Sequence, residues 1–157
     1  MEKSAAQAIR HRNLPLLLLQ SREAVLTRFR PLLNAQGVTE QQWRVIRALD
    51  EFGAMEPRQI GRLCCISSPS MAGILARMDD MGLISRERMA QDQRRVMVAV
   101  TARGQKVVAA LAPQIEACYL EIEGRIGHEF TELLYDMLDA LAGQLQGDGA
   151  EEPSGVD

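Results

Sequence analysis

Residues 67–101 read SSPSMAGILARMDDMGLISRERMAQDQRRVMVAVT and carry the clearest structural signals in this protein. Serine hydroxyls suited to helix capping surround Pro69, which fits a first helical turn because that turn needs no backbone N–H. Apolar side chains then recur at three- and four-residue spacing, namely Met71, Ile74, Leu75, Met78 and Met81. Gly82 follows as a stop. The stretch therefore predicts a helix over residues 67–81.

A hairpin is predicted directly after that helix. Residues 83–88 and 95–100 are two short strand-like runs, and the second is mostly apolar. The six residues between them, 89–94, are mostly polar and predict the tip of a two-stranded hairpin. Thr101 follows the second run and is a capping residue for a further helix.

Two helices are predicted at the start of the chain. Asn13 is a capping residue for the first, which ends before Gly37. Thr39 and Gln42 form a capping box for the second, which ends before Gly53. Each helix thus begins at a side chain that satisfies its first backbone N–H groups and ends before a glycine, whose conformation interrupts the helix.

A short third helix is predicted from Met55 through Cys65, with Ile60 and Leu63 facing inward. Two more helices follow the hairpin, separated by a break at residues 124–127. The predicted fold class is all-α with a small two-stranded β wing.

The first helix is apolar on two sides. One stripe consists of Leu14, Leu17, Leu18, Val25, Phe29 and Leu32, and a second of Leu16, Leu19, Leu26 and Leu33. A helix of this kind must be covered on both sides, which indicates burial between its own domain and a partner subunit.

Charge is distributed unevenly along the chain. The net charge is −3, yet residues 53–106 carry nine Lys and Arg against five Asp and Glu, whereas residues 107–157 carry one against eleven. The distribution matters more than the sum, because the middle of the chain can present a basic face while the acidic end points elsewhere.

Duplex DNA is the ligand that this arrangement fits. The third helix and the helix over 67–81 form a predicted helix-turn-helix, which the hairpin follows as a wing. Hydroxyls at a helix start donate to phosphates, and arginines suit a narrow minor groove. The predicted contacts are Ser67, Ser68, Ser70, Arg77, Arg86, Arg88, Asp92, Arg94 and Arg95. Each motif alone has a simpler explanation, as a good helix start or as a hairpin edge protected by charge; their adjacency favours DNA.

The hairpin resembles the wing of the MarR family of winged-helix regulators. Asp92 and Arg94, the apolar strand after them, and the pair Thr101 and Gly104 match that family's pattern Asp-x-Arg, apolar strand, Thr-x-x-Gly. The resemblance covers about residues 13–145. It implies that Asp92 braces the wing arginine, that Arg94 enters the minor groove, and that the chain is a homodimer clasped by its first and last helices.

Composition at the two ends, together with the resemblance between them, divides the chain. The expected parts are a flexible arm (1–12), one domain (13–146) containing a winged helix-turn-helix (39–101) and dimerisation helices (13–34 and 102–146), and a disordered acidic tail (147–157). The longest apolar run, residues 14–19, is too short to span a bilayer. We therefore expect a cytoplasmic protein whose partners are a second copy and a pseudo-palindromic double-stranded operator, with half-sites about 34 Å apart, and no membrane.

A finer similarity is to the subgroup that represses homoprotocatechuate degradation, in residues 13–23, 39–49, 56–60 and 68–78. It implies control of an aromatic-acid catabolic operon and release by a small aromatic carboxylate. Arg22 lies on an apolar stripe, where a charge needs a partner, and its guanidinium pairs well with a carboxylate. Trp43 is a candidate cover for an aromatic ring. An acid across the dimer is an equally good partner for Arg22.

Two other interpretations stay open at this point. One is a redox-responsive regulator of the same fold that switches through Cys64 or Cys65, although no neighbouring lysine or histidine would lower their pKa; small apolar core side chains are the simpler role for all three cysteines. The other is a winged-helix protein-interaction module that does not bind DNA. With only His11 and His128, and no catalytic triad, phosphate loop or zinc motif, we expect no enzyme, metal or cofactor site.

Overall fold

The computed structural model describes residues 9–147, which form six helices and a two-stranded antiparallel sheet in the predicted order. The elements are α1 (Leu14–Ala35), α2 (Glu40–Phe52), α3 (Pro57–Cys64), α4 (Ser68–Asp80), β1 (Ile84–Met89), β2 (Asp92–Val100), α5 (Ala102–Ile126) and α6 (His128–Gln146). The predicted fold class is confirmed. The described chain forms two compact units, one ending at Ile115 and the other beginning at Glu116. Most of the predicted arm and tail, residues 1–8 and 148–157, lies outside the described residues.

Capping side chains start the first two helices where the sequence predicts them. The Asn13 side-chain oxygen accepts a hydrogen bond from the Leu16 N–H at 3.0 Å. The Thr39 hydroxyl accepts from the Gln42 N–H at 3.1 Å, and the Gln42 Oε1 accepts from the Thr39 N–H at 3.0 Å. These bonds satisfy backbone groups that a helix start leaves unpaired.

The short helix α3 buries a different face from the predicted one. Ile60 is fully buried as predicted, but Leu63 is 49% exposed. Cys64 takes the inward position because it lies four residues after Ile60 and so on the same side of the helix. Cys65 is exposed and follows the helix with a φ of 53°, which is uncommon for a residue with a side chain. The expectation of a core cysteine therefore holds for Cys64 and Cys118 and is wrong for Cys65.

Helix α4 packs through the predicted apolar stripe. Its buried side chains are Met71, Ile74, Leu75 and Met78. Ser67 and Met81 flank the helix, at the N-cap and C-cap positions, rather than being members of it. Met81 is half-buried, and its sulfur accepts a hydrogen bond from the Gln42 amide at 3.7 Å. The element contacts α2, α3 and β1, so its position is fixed on three sides.

The hairpin has a shorter tip than the sequence predicts. β1 extends to Met89 and β2 begins at Asp92, so Ala90 and Gln91 alone form the turn in place of the predicted six residues. The prediction failed because strands pair through backbone hydrogen bonds, which do not require apolar side chains.

A bulge lies in β2 just behind this tip. Arg88 pairs with Val96, whereas the next residue of β1, Met89, pairs with Asp92. Residues 93–95 are therefore extra in β2, and a bulge of this kind bends and twists the strand that contains it.

The base of the wing is fixed by backbone contacts. Met55 and Val98 exchange two backbone hydrogen bonds, of 3.1 and 2.9 Å, and Val98 is fully buried. The Thr101 hydroxyl accepts from the Gly104 N–H at 3.1 Å, which caps α5 as predicted. A Cβ on Gly104 would lie 2.3 Å from the carbonyl oxygen of Leu83. Only glycine allows this approach of α5 to the start of the wing.

The last two helices meet later than the sequence predicts. The break was placed at residues 124–127, but α5 continues through Gly124 to Ile126, and Gly127 has a φ of 91°. A glycine inside a helix costs only about 1 kcal/mol relative to alanine, so Gly124 does not end it. His128 follows directly as the first residue of α6.

Helices α1 and α6 each expose a large apolar face in the single chain. In α1 the exposed apolar side chains are Leu14, Leu16, Leu17, Leu18, Leu19 and Val25. In α6 they are Phe130, Leu133, Leu134, Met137, Leu138 and Leu145, and no residue of α6 is buried. Monomeric proteins rarely leave faces of this size in water, so both helices require cover. Neither they nor any other helix within residues 9–147 is long and apolar enough to cross a membrane.

Candidate DNA-binding surface

The N-terminus of α4 presents hydrogen-bond donors at the surface. Ser67, Ser68 and Ser70 are all exposed. The Ser67 hydroxyl donates to the Ser70 hydroxyl at 3.1 Å and makes no capping bond to the helix. The first turn of α4 therefore has no side-chain cap at its N-cap residue, and its hydroxyls lie at the surface. Such a helix start favours an anion such as a DNA phosphate.

An open cleft of about 660 Å³ lies between α3, α4 and the wing. Its walls carry Arg58, Arg62 and Arg86, and its floor is apolar where Met71 and Leu75 lie. Arg58 and Arg62 were not among the predicted DNA contacts. Their four-residue spacing places them on one face of α3. That signal acquires meaning only once α3 is known to border the start of α4.

Arg77 and Arg94 have no acidic partner among residues 9–147. Arg77 is exposed on α4, and its guanidinium lies beside Gly73, 3.5 Å from where a Cβ would be. Arg94 is exposed in the bulge next to the wing tip. These two predicted contacts are therefore cations whose charge the described chain does not neutralise.

Two contacts shape the bulge around Arg94. The Asp92 Oδ1 accepts a hydrogen bond from the Arg94 backbone N–H at 3.0 Å. The Arg88 Nη1 donates to the Gln93 carbonyl oxygen at 2.8 Å. Asp92 thus braces the main chain of Arg94 rather than its guanidinium, which is a more specific role than the family resemblance implies. Arg88, a predicted DNA contact, is engaged within the hairpin.

Arg86 and Arg95, also predicted DNA contacts, form ion pairs within the chain. The Nε and Nη2 of Arg86 lie 3.1 and 2.9 Å from the Oδ2 of Asp79 on α4. Arg95 pairs through Nε and Nη2 with Glu56, the residue before α3. Sequence reasoning missed both acidic partners. Glu56 lies 39 residues from Arg95 in the chain, and Asp79 lies on a different element from Arg86.

Arg22 has an acidic partner in its own chain. It pairs with Glu40 in the first turn of α2. The same carboxylate lies 3.1 Å from Arg44 Nη2 and 3.6 Å from Arg30 Nη2. Arg30 also pairs with Glu23, and its guanidinium holds the pKa of that carboxyl below the usual value. Three arginines thus meet two carboxylates, which leaves an excess of positive charge beside α1.

Trp43 lies on α2 and is half-buried. It follows Glu40 by three residues, a spacing that places both side chains on one side of the helix. An aromatic side chain and the arginine cluster therefore border the same region of α2.

The two neighbouring cysteines have different environments. Cys64 is buried, its thiol donates to the Arg44 carbonyl oxygen at 3.6 Å, and burial raises the pKa of this thiol. A raised pKa disfavours the thiolate, which is the reactive form. Cys65 is exposed. Within residues 9–147, no group of His, Cys, Asp and Glu side chains is arranged to hold a metal ion.

Comparison with known proteins points to one family. The sequence model of the MarR family matches residues 38–96, from just before α2 into β2. The HTH-type transcriptional regulator FarR of Neisseria gonorrhoeae is 39% identical over 133 residues, which is 85% of this chain and 91% of FarR. The homoprotocatechuate degradative operon repressor of Escherichia coli is 37% identical over 129 residues, 82% of this chain and 87% of that repressor.

A solved structure extends the similarity beyond the matched segment. NadR in complex with 4-hydroxyphenylacetate aligns with a TM-score of 0.76 at 39% identity. The alignment covers 87% of this chain and 97% of NadR, so it includes much more than residues 38–96.

Proposed function

Because this chain belongs to the MarR family of transcriptional regulators, we propose that it is a homodimeric repressor that a small aromatic carboxylate releases from its DNA operator. What we propose is which genes the protein controls, which effector it binds, and which residues contact the DNA and the effector. One observation carries the DNA-binding assignment: the wing bears an exposed arginine, Arg94, with no intramolecular acidic partner and a backbone fixed by Asp92.

We assign direct DNA contact to two parts of the surface. The hydroxyls at the start of α4 and Arg77 on its exposed side enter the major groove, where an arginine can bond a phosphate or a guanine edge. Arg94 at the wing enters the minor groove, whose negative potential attracts an unpaired guanidinium. Arg58 and Arg62 border the same cleft as Ser67 and Ser68 and add positive potential toward the phosphates.

A second copy of the chain is the proposed cover for the exposed apolar faces of α1 and α6. Homodimers bury apolar faces of this kind, and a two-fold axis would present two α4 helices to one DNA. The half-sites would then lie about 34 Å apart, one helical turn of the duplex. Dimerisation is also the arrangement that the family resemblance implies.

The proposed effector site is the arginine cluster beside α1 with Trp43. Arg22, Arg30 and Arg44 share Glu40, and Arg30 also holds Glu23, so a further carboxylate would meet uncompensated charge. The solved NadR complex contains 4-hydroxyphenylacetate, and the Escherichia coli relative is named for homoprotocatechuate. Both compounds combine an aromatic ring with a carboxylate. We propose that an effector of this class competes with Glu40 for Arg22 while Trp43 contacts its ring.

Release of DNA requires that the effector bind the DNA-free conformation more tightly than the DNA-bound one. A coupling free energy of about 1–3 kcal/mol, which is common in such proteins, lowers operator affinity roughly 5- to 150-fold. Arg22→Ala should leave operator binding close to normal and abolish this response. Glu40→Gln should strengthen the response, because it removes the competing carboxylate.

The test combines DNA binding with thermal unfolding. An operator duplex is first selected from a randomised library with the unsubstituted protein, and its affinity is then measured with and without 4-hydroxyphenylacetate. 4-Hydroxyphenylacetamide, which has the same ring and no charge, is the matched control. We expect 4-hydroxyphenylacetate, and not the amide, to raise the Tm and weaken DNA binding. If neither happens, the effector class is wrong, and if Arg22→Ala abolishes the dimer, Arg22 has a structural role.

A further inference from the structure

We propose that Asp79 and Glu56 are positioning residues for DNA binding, because they hold the wing against the helix-turn-helix through Arg86 and Arg95. The inference rests on the proposed DNA-binding function and deepens it. It reassigns two arginines of the wing from DNA contact to support of the wing, and it gives two acidic residues beside the DNA-binding surface a favourable role.

The first contact ties β1 to α4. Arg86 pairs in register with Val98, so the two side chains point to the same face of the hairpin. Val98 is fully buried, which identifies that face as the one turned toward the helices. From this face the Arg86 Nε and Nη2 both reach the Oδ2 of Asp79, near the end of α4. The pair therefore links the wing directly to the proposed recognition helix.

The second contact ties β2 to the start of α3. Arg95 is the last of the three bulged residues, and it reaches Glu56. The residue before Glu56, Met55, exchanges backbone hydrogen bonds with Val98. Arg95 and Val98 thus hold β2 at two points, three residues apart, against one short segment. The Glu56 side chain is 28% exposed and that of Arg95 is 55% exposed, so the acidic partner is the more shielded of the two.

Both ion pairs lie nearer the base of the wing than its tip. A small rotation of the wing about its base would displace the region of Arg94, at the far end, the most. The tip begins four residues beyond the pairing of Arg86 with Val98, a distance of about 13 Å at the rise of a β-strand. A rotation of roughly 10° at the base would move the tip by about 2 Å, more than a hydrogen bond tolerates. The two backbone bonds to Met55 hold only β2. The ion pairs add one restraint on each strand and so restrict such a rotation further.

The sign of a mutational effect separates positioning from simple electrostatics. A carboxylate beside DNA repels phosphates, so its neutralisation should strengthen binding if charge alone mattered. It should also strengthen binding if Arg86 were a DNA contact, because Arg86 would then lose its internal competitor. If Asp79 holds the wing in place, its neutralisation weakens binding instead.

The experiment compares Asp79→Asn and Glu56→Gln with two matched controls in the full-length dimer. Asp80→Asn and Glu87→Gln remove acids that are exposed, next to the same elements, and outside any ion pair of residues 9–147. The DNA is the duplex selected with the unsubstituted protein. We expect each test variant to lose affinity about two- to five-fold, the factor that corresponds to an exposed ion pair, while the controls bind equally well or more tightly.

Two further readouts distinguish positioning from general destabilisation. The double variant Asp79→Asn/Arg86→Gln should bind DNA no more weakly than either single variant, because all three break the same pair. Hydroxyl-radical footprints should lose protection in the minor groove beneath the wing and keep the protection given by α4. Should Glu56→Gln lower the Tm, Arg95→Gln tests the same pair from the other side.

Tighter DNA binding by Asp79→Asn, or additive losses in the double variant, would overturn the inference and leave the proposed DNA-binding function intact. If the unsubstituted dimer selects no duplex at all, the proposed function itself fails. Unchanged footprints together with unchanged affinity for Glu56→Gln and Arg95→Gln would refute the contribution of β2.

Discussion

Replacement of Arg94 by alanine removes an exposed guanidinium that has no acidic partner among residues 9–147, so it sacrifices no ion pair of the chain. The Asp92 Oδ1 bonds the backbone N–H at this position, which alanine keeps, so the shape of the tip should survive the substitution. The Tm is therefore expected to stay within about 1 °C, since surface changes without partners are usually close to neutral. The whole effect should appear in DNA binding.

The expected loss of operator affinity is worked out for two wings, because each dimer has two. A hydrogen bond to a charged group contributes about 1.5–3 kcal/mol. Two such contacts on one operator amount to about 3–6 kcal/mol, a loss of at least roughly 100-fold in affinity at 1.4 kcal/mol per factor of ten. Fluorescence anisotropy with the selected duplex, at one fixed physiological salt concentration, measures this loss.

Arg95→Ala is the matched comparison, because it removes the same charge from the next residue. Arg95 pairs with Glu56, so the positioning role predicts a much smaller loss for it than for Arg94. If Arg94→Ala binds within about two-fold of the unsubstituted dimer, or if Arg95→Ala is the more damaging of the two, the assignment of the minor-groove contact is refuted.

Three other predictions concern packing, assembly and the thiols. Gly104→Ala should lower the free energy of unfolding by about 1–3 kcal/mol through overpacking. Gly124→Ala, with nothing within 4 Å of its added Cβ, should raise it by up to about 1 kcal/mol. Urea denaturation measures both, and equal effects would contradict the close approach at Gly104. Leu19→Glu should shift the protein from dimer to monomer or aggregate in sedimentation velocity, because Leu19 is 58% exposed in the single chain, and a stable dimer would show that the α1 face is not the interface. Iodoacetamide should label Cys65 well before Cys64 at pH 8, because Cys64 is buried and its pKa is raised. Labelling of Cys64 should become faster as the pH rises and stay slower than that of Cys65; early labelling of Cys64 would contradict its burial.

Local signals in the sequence were sufficient for most helix boundaries and for the order of elements. The caps at Asn13 and Thr39 act on backbone groups within three residues, so their chemistry is visible without a fold. The apolar stripe of α4 likewise follows from helical spacing alone. One error, the inward face of α3, occurred where two local signals were of similar strength. Either Leu63 or Cys64 could face inward with Ile60, and packing selected Cys64.

The candidate site was less predictable because its decisive contacts are long-range. Arg95 and Glu56 are 39 residues apart, and nothing near either residue indicates that they pair. Arg22 shows the same limitation: its position on an apolar stripe signalled the need for a partner, but the fold supplied Glu40 from the next helix. Residue type therefore identified the arginines of α4 and the wing, and three-dimensional placement decided which of them are engaged internally and added those of α3.

The bulge in β2 has a consequence for how such a wing can change during evolution. Residues 93–95 are outside the regular pairing, while the pairs from Ile84 with Val100 to Arg88 with Val96 form an uninterrupted ladder below them. An insertion or deletion of one residue in the bulge would alter how far Arg94 projects without shifting the register of that ladder or exchanging its buried and exposed faces. The length of the wing is thus uncoupled from the folding of its base, and lineages can adjust its reach along DNA by changes in chain length as well as by substitution.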